Sequence, residues 1–243
     1  LDALAMNLND LALVRARPYK IQNHILIPED DEEAILEIIR TLSEECIKRN
    51  ITITGGETSI QDNINGMDVS MTVSGFIENG KPNKFQEGDV LIGIKSNGLH
   101  SNGFTKVREV FKKEYRTEFT TPTRIYIDTI LNLDKKIDIH GMMHITGGAY
   151  TKLKSLLDNS DVILHRNPDI QQDIFLELYK RGVSDEEMYK IFNCGIGFIF
   201  SVSEEDAGKI ISNVNDCYII GKVISGNGRV KIESMFSDRI IEF

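Results

Sequence analysis

The chain has 243 residues, 41% of them hydrophobic, enough for a real core, so wholesale disorder is excluded. Against 28 Lys and Arg stand 37 Asp and Glu, a net charge of −9, which excludes nucleic acid or an anionic membrane surface as the main partner. Cys46, Cys194 and Cys217 are too widely spaced for a disulfide framework or a zinc site, and no apolar run reaches the ~18–20 residues of a membrane helix, so a reducing cytoplasm is the expected location.

The sequence opens LDALAMNLND, without an initiator Met or a basic leader, and reads as the middle of an element. The expectation is that these residues begin inside a longer protein. If residues 3–9 are helical, Asp2, Met6, Asn9 and Asp10 share one face. The clearest helix is 31–48, where Ala34, Ile35, Ile38, Ile39, Leu42 and Cys46 form a stripe and acidic residues crowd the first turn. Ile51–Thr54 reads as a short strand broken by Gly55-Gly56, and Met67–Val73 as a half-buried strand with period 2. Residues 78–88 are polar and turn-rich, which places a domain boundary there and divides the chain into 1–82 and 83–243.

The second half restarts with a strand at Asp89–Lys95, followed by the loop SNGLHSNG (96–103) and a helix from Phe104. A helix near Pro122, a strand at His140–Thr146 and a helix from Gly147-Gly148 through Leu157 come next. Ser184 and Glu187 make a capping box for a helix at 185–192. A strand at Gly195–Val202 and a helix from Ser203 follow. The last strands, about Tyr218–Ile224 and Arg229–Ile232, are expected to be joined by the turn 225–228.

Four stretches could carry chemistry. Asp2, Asn9 and Asp10 offer the hard oxygens that Mg²⁺ prefers, although a solvated helix face would use the same residues. Paired glycines in TGGETS (54–59) permit close approach to a phosphate, with Glu57 beside them, or make an ordinary turn. In SNGLHSNGF, a glycine-bearing loop leads into a helix N-terminus with His100 as a proton-handling group; a capped connection would look alike. HITGGAY (144–150) offers another phosphate seat, or merely a core histidine at His144. Cys194 reads as a buried structural thiol. P-loop, Rossmann, zincin and hydrolase-elbow motifs are absent. The residues themselves lead to Mg-assisted work on phosphorylated ligands.

The order of these motifs is informative. D-x-x-A-M-x-x-N-D, GGETS, DVLIGIKSNGLHSNGFTKVRE, PTRIYI, HITGG, EMYKIFNCGIGF and IGKV resemble the aminoimidazole ribonucleotide synthetases (phosphoribosylformylglycinamidine cyclo-ligases) over essentially the whole chain. The resemblance implies an α+β fold of two mixed α/β domains, an ATP-side domain that contributes to a dimeric β-barrel and a substrate-side domain. It implies ATP-dependent ring closure of formylglycinamidine ribonucleotide in purine biosynthesis by a homodimer, with Mg²⁺. It also implies that Asp2 (the metal residue), Asn9, Asp10, Gly55, Gly56, Glu57 and Thr58 serve ATP. His100, Ser101, Asn102, Gly103, Thr146, Gly147 and Gly148 would serve the ribonucleotide, with His100 as acid/base. The family's upstream glycine-rich ATP segment is not in these residues, Lys113–Pro122 is short, and 12–25 resembles the family least. Another ATP-using relative, or a non-catalytic nucleotide-binding paralogue, is the alternative.

Overall fold

The computed structural model describes residues 1–78 and 80–243; Asn79, in the turn-rich stretch 78–88, lies outside the described residues. The elements are α1 (Asp2–Leu13), β1 (Ala16–Ile27), α2 (Glu32–Lys48), β2 (Thr52–Ile60), β3 (Asp68–Ile77), β4 (Val90–Lys95), α3 (Phe104–Phe111), α4 (Ile127–Asp134), β5 (Met142–His144), β6 (Ser160–Leu164), α5 (Asp173–Lys180), α6 (Asp185–Ile191), β7 (Ile196–Val202), α7 (Glu204–Asn213), β8 (Cys217–Ser225), β9 (Val230–Glu233) and β10 (Ile240–Glu242). They form two compact units, Leu1–Gly80 with Ile125–Leu131, and Lys81–Arg124 with Asn132–Phe243. Both mix helices with sheet, as an α+β protein does.

The first unit is a three-stranded sheet, β2-β1-β3, with β1 parallel to β2 and antiparallel to β3. Sequence patterning does not announce β1, the longest strand. Its burial begins on even positions (Ala16, Pro18) and continues on odd ones (Ile21, Asn23, Ile25, Ile27). The change of phase coincides with a register shift between Pro18 and Lys20: a bulge adds one residue and moves the following side chains to the other face. β2 also departs from expectation, because it runs through Gly55-Gly56 to Ile60. A second bulge lies opposite Ile21/Gln22, where the Thr54 hydroxyl donates to the Ile21 carbonyl at 3.1 Å. A Cβ at Gly56 would run into the Asn23 carbonyl oxygen, so this glycine serves close strand approach rather than strand ending. On α1, Leu4, Ala5, Leu8 and Ala12 are buried at i, i+1, i+4 and i+8. The Asp31 carboxylate accepts the Ala34 amide at 2.9 Å and starts α2.

The second unit holds a seven-stranded sheet, β10-β9-β6-β8-β4-β7-β5, antiparallel except where β6 meets β9. The turn 225–228 therefore does not close a hairpin. β6 lies between β8 and β9, and the Asp161 carboxylate accepts the amides of Asn227 and Arg229 to shape that crossover. β7 is buried at every position, between β4 and β5. Its Ile196 and Ile199 help fill a core shared with Phe175, Leu178, Met188 and Phe192. The capping box at Ser184 and Glu187 forms as expected. Two helices differ from their reading. The one expected at Pro122 begins at Ile127, and Pro122, Thr123 and Arg124 instead bond a loop region described below. The one after Gly148 is a 3₁₀ helix, Ala149–Leu156.

Candidate functional site

In the first unit, the sheet carries an open depression of about 500 Å³ lined by Gln22, Asn23, His24, Gly56, Glu57, Ser70, Met71 and Thr72. Glu57, His24 and Ser70 stand in one cross-strand row. His24 Nε2 meets Ser59 Oγ at 2.9 Å. Gly56 and Glu57 thus join a polar sheet face; Gly55 and Thr58 flank them, exposed on the same edge strand. His24 was missed because β1 itself was missed. Asp2, Asn9 and Asp10 do not line the depression. Asn9 is fully buried, and its side-chain oxygen accepts the Tyr126 amide at 2.6 Å, tying α1 to the start of α4. Asp2 is half-buried and Asp10 exposed. Among the described residues, no three His, Cys, Asp or Glu side chains converge into a metal cage. Asp2 and Asp10 still supply hard oxygen donors, and one or two carboxylates are enough for Mg²⁺ when phosphates complete its shell.

In the second unit, the two glycine-bearing loops converge. Asn102, Gly103 and Gly148 share a cavity of about 350 Å³ with Phe104, Thr105, Lys106, Glu109, Lys190 and Ile191. A Cβ on Gly147 would come within 3.6 Å of Asn102 Oδ1. Gly103, with φ +80°, caps α3, whose free amides open onto this cavity. A side chain there would also strike the Phe192 ring. The sequence reading missed the cations. Lys106 bridges Glu109 and Glu187 at 3.1 Å each, and these partners, Glu109 first, hold its ammonium above the ordinary lysine value. Lys190 pairs with Glu186. Such i, i+3 and i, i+4 pairs read as solvated helix faces until the fold sets them beside a glycine turn. Lys152 Nζ donates to Thr146 Oγ1 at 2.8 Å and to the His144 carbonyl at 2.9 Å, locking the strand end that precedes Gly147.

The SNGLHSNG loop is strapped down from several sides. Pro122 and Thr123 hold it, since Asn97 Nδ2 donates to the Pro122 carbonyl at 2.9 Å and Ser101 Oγ meets Thr123 Oγ1 at 2.8 Å, and Arg124 donates to the carbonyl of Lys95, at the end of β4 just before the loop, at 3.1 Å. His100 is only 3% exposed, has a left-handed backbone (φ 60°), and sets Nε2 2.8 Å from Asn97 Oδ1. It does not line the cavity. His144 is fully buried, its ring stacked on Phe198. Burial raises the Cys194 thiol well above its ordinary value, and nearby Asp185 adds to this, so the thiol stays protonated and unreactive.

Residues 1–77 match the family model "AIR synthase related protein, N-terminal domain" and residues 86–233 its "C-terminal domain". The chain is 38% identical to the phosphoribosylformylglycinamidine cyclo-ligase of Methanocaldococcus jannaschii, over 95% of this chain and 71% of that protein. It is 34% identical to the cyclo-ligase of Pyrococcus horikoshii, over 96% of this chain and 75% of that protein. Among solved structures, E. coli HypE, a hydrogenase maturation protein, superposes with a TM-score of 0.74 at 16% identity, over 98% of this chain and 77% of that one. A HypE in complex with ATP gives 0.69 at 15% identity, over 98% and 77%. The structural likenesses carry the fold alone. The family models span both units and the cyclo-ligases align along nearly the whole chain, so this protein belongs to the AIR synthase related family.

Proposed function

We propose that the protein is an ATP-dependent cyclo-ligase that converts formylglycinamidine ribonucleotide to aminoimidazole ribonucleotide in purine biosynthesis, releasing ADP and phosphate. The observation that carries this is the 34–38% identity to curated cyclo-ligases over at least 90% of the chain. The convergence of the two glycine loops beside Lys106 and Lys190 supports it, since that cavity suits a phosphorylated ligand.

In the reaction the formyl oxygen attacks the γ-phosphorus of ATP and the bond to ADP breaks. The amidine-side nitrogen then attacks the activated carbon, phosphate departs with the former formyl oxygen, and one proton is lost as the imidazole closes. Phosphoryl transfer needs positioning and charge neutralisation more than covalent help. Asp2, Asn9 and Asp10, with Gly55, Gly56, Glu57 and Thr58, are the proposed ATP residues. Asp2 would hold Mg²⁺, which supplies charge neutralisation on the phosphates. Ser101, Asn102, Gly103, Thr146, Gly147 and Gly148 are the proposed ribonucleotide residues. His100 is the proposed acid/base for the departing proton. A His100→Ala enzyme should lose about 10²–10⁴-fold in kcat; normal turnover would withdraw the role.

The proposed assembly is a homodimer. Ile60, Phe76 and Ile77 on the strands at the two edges of the three-stranded sheet are each more than half exposed, which supports pairing of this sheet with a second copy. Light scattering should give twice the monomer mass. A cytoplasmic location is proposed on the three buried free thiols; no helix of the described residues is long and apolar enough to cross a membrane. The deciding experiment measures ADP release with formylglycinamidine ribonucleotide, selenide and thiamine phosphate offered in turn. ADP formed only with the ribonucleotide, together with aminoimidazole product, supports the cyclo-ligase. Release with either of the others points to a different ATP-using member, and no release at all to a binding-only paralogue.

A further inference from the structure

The two loops assigned to the ribonucleotide share one anchor. Asn193 is 2% exposed and lies just before β7. Its side-chain oxygen accepts from Ser96 Oγ at 2.8 Å and from the Gly195 amide at 2.9 Å. Its side-chain nitrogen donates to the carbonyls of Gly98 at 2.8 Å and Leu99 at 3.2 Å. These partners fix which end of the amide is which, because a backbone N–H can only donate and a carbonyl can only accept. The backbone carbonyl of the same residue accepts the Tyr150 hydroxyl at 2.7 Å. Tyr150 lies two residues after Gly148, and burial pushes its hydroxyl well above the usual range, so it keeps the proton it donates.

Neighbouring contacts reinforce the arrangement. Gln172 Nε2 donates to the Ser96 carbonyl at 2.8 Å and to Ser96 Oγ at 3.0 Å. Asn102 Nδ2 donates to the Ile191 carbonyl, and Gly103 lies against Phe192. The 96–103 loop therefore rests on residues 191–193, and Asn193 also bonds Tyr150, two residues past the Gly147-Gly148 turn.

We propose that Asn193 is a positioning residue that holds the 96–103 loop and the Gly147-Gly148 turn in register, and so governs affinity for the ribonucleotide but not for ATP. This rests on the cyclo-ligase reading above. Exchanging its amide for a carboxyl group removes the donor to both carbonyls, and buried acceptors left unmade are costly. Small displacements of positioning groups reduce rates steeply.

The test compares Asn193→Asp and Tyr150→Phe with Ser234→Ala. Ser234 is a fully buried hydroxyl hydrogen-bonded to Asp185, Phe236 and Ser237 rather than to either loop. Michaelis constants for each substrate are measured, with amide hydrogen exchange over 96–103 and 147–151. Asn193→Asp should raise the ribonucleotide KM about tenfold or more, leave the ATP KM within about twofold, and speed exchange in both segments. Tyr150→Phe should raise the ribonucleotide KM about two- to threefold and speed exchange in 147–151. Ser234→Ala should lower the melting temperature without splitting the two constants. Unchanged constants, constants that rise together, or faster exchange in only one segment of Asn193→Asp would overturn the proposal. If Asn193→Asp does not fold, the split in Tyr150→Phe decides. If the wild-type protein forms no ADP with the ribonucleotide, the cyclo-ligase reading fails, and the exchange measurement decides separately whether Asn193 couples the loops.

Discussion

β7 and β2 show how differently the two units are built. β7 is buried at all seven of its positions and is bonded on both sides, to β4 and β5. β2 is exposed at seven of its nine positions and is an edge strand of a three-stranded sheet. The second unit completes its own core. The first leaves one sheet face polar and its edge strands studded with exposed Ile60, Phe76 and Ile77. Even the helical stripe of α2 is buried only at Leu42 and Cys46, while Leu36 and Ile39 stay exposed. A finished core supplies fixed loops for a ligand; an unfinished sheet has surface left for a partner.

The sharpest contrast is between two phenylalanines. Phe198 on β7 is fully buried, so Phe198→Ala should lower stability by about 3–5 kcal/mol through lost transfer energy and a cavity. Phe76 on β3 is 56% exposed and stacks on Tyr19, so Phe76→Ala should lower it by less than about 1 kcal/mol. Urea unfolding followed for each variant checks both. Equal losses would mean that the first unit is as closed as the second.

Next comes Gly56. A Cβ there would meet the Asn23 carbonyl oxygen, and it would stand 2.9 Å from Asn23 Oδ1. Gly56→Ala should therefore push β2 away from β1 and lower stability by about 1–3 kcal/mol. Because Gly56 and Glu57 share the depression with His24, the ATP KM should rise with it while the ribonucleotide KM holds. A stable variant with an ordinary ATP KM would separate the strand's close approach from any nucleotide role.

The same contrast explains what was legible in the sequence. Amphipathic helices, the Ser184 capping box and the apolar run of β7 are local signals, and each stands where periodicity or capping put it. β1 was illegible because a bulge near Tyr19 switches the buried positions from even to odd, which erases the period-2 signal over its length. The Gly55-Gly56 pair looked like a strand end because close approach to Asn23 depends on a partner strand 33 residues away. The insertion of β6 between β8 and β9 likewise rests on non-local pairing. In the candidate sites, the glycine loops were legible as motifs. Lys106 and Lys190 were not, since only the fold brings their helices beside Gly148. Asn193 stood in the FNCGIGF motif, but its part in joining the loops was not legible, because Ser96, Gly98, Leu99 and Tyr150 lie 43 to 97 residues away.

The smallest expected effect belongs to an ionic clasp in the second unit. Glu177 on α5 accepts from Arg116 with both oxygens and from Arg181 Nε at 2.9 Å, and the two guanidinium groups lie 4.7 and 4.4 Å from the centre of the Phe111 ring. Arg116 above all, with Arg181, pulls the Glu177 carboxyl down to about 2. A carboxylate with a lowered folded-state value adds stability above its unfolded value, near 4.5, and loses it as pH falls toward 2. The side chain is 31% exposed, so solvent screening keeps the contribution below about 1 kcal/mol. Glu177→Gln should therefore cost a few tenths of a kcal/mol at neutral pH. It should also flatten the stability curve between about pH 4.5 and 2, because glutamine has no proton to gain there. In the first unit, the Glu45 carboxyl is also held low, by Lys48 and Arg49, so that unit keeps an acid response of its own. If Glu177→Gln leaves the acid limb of the second unit's unfolding curve unaltered, the Arg116–Glu177–Arg181 clasp contributes nothing, and apolar packing alone separates the closed unit from the open one.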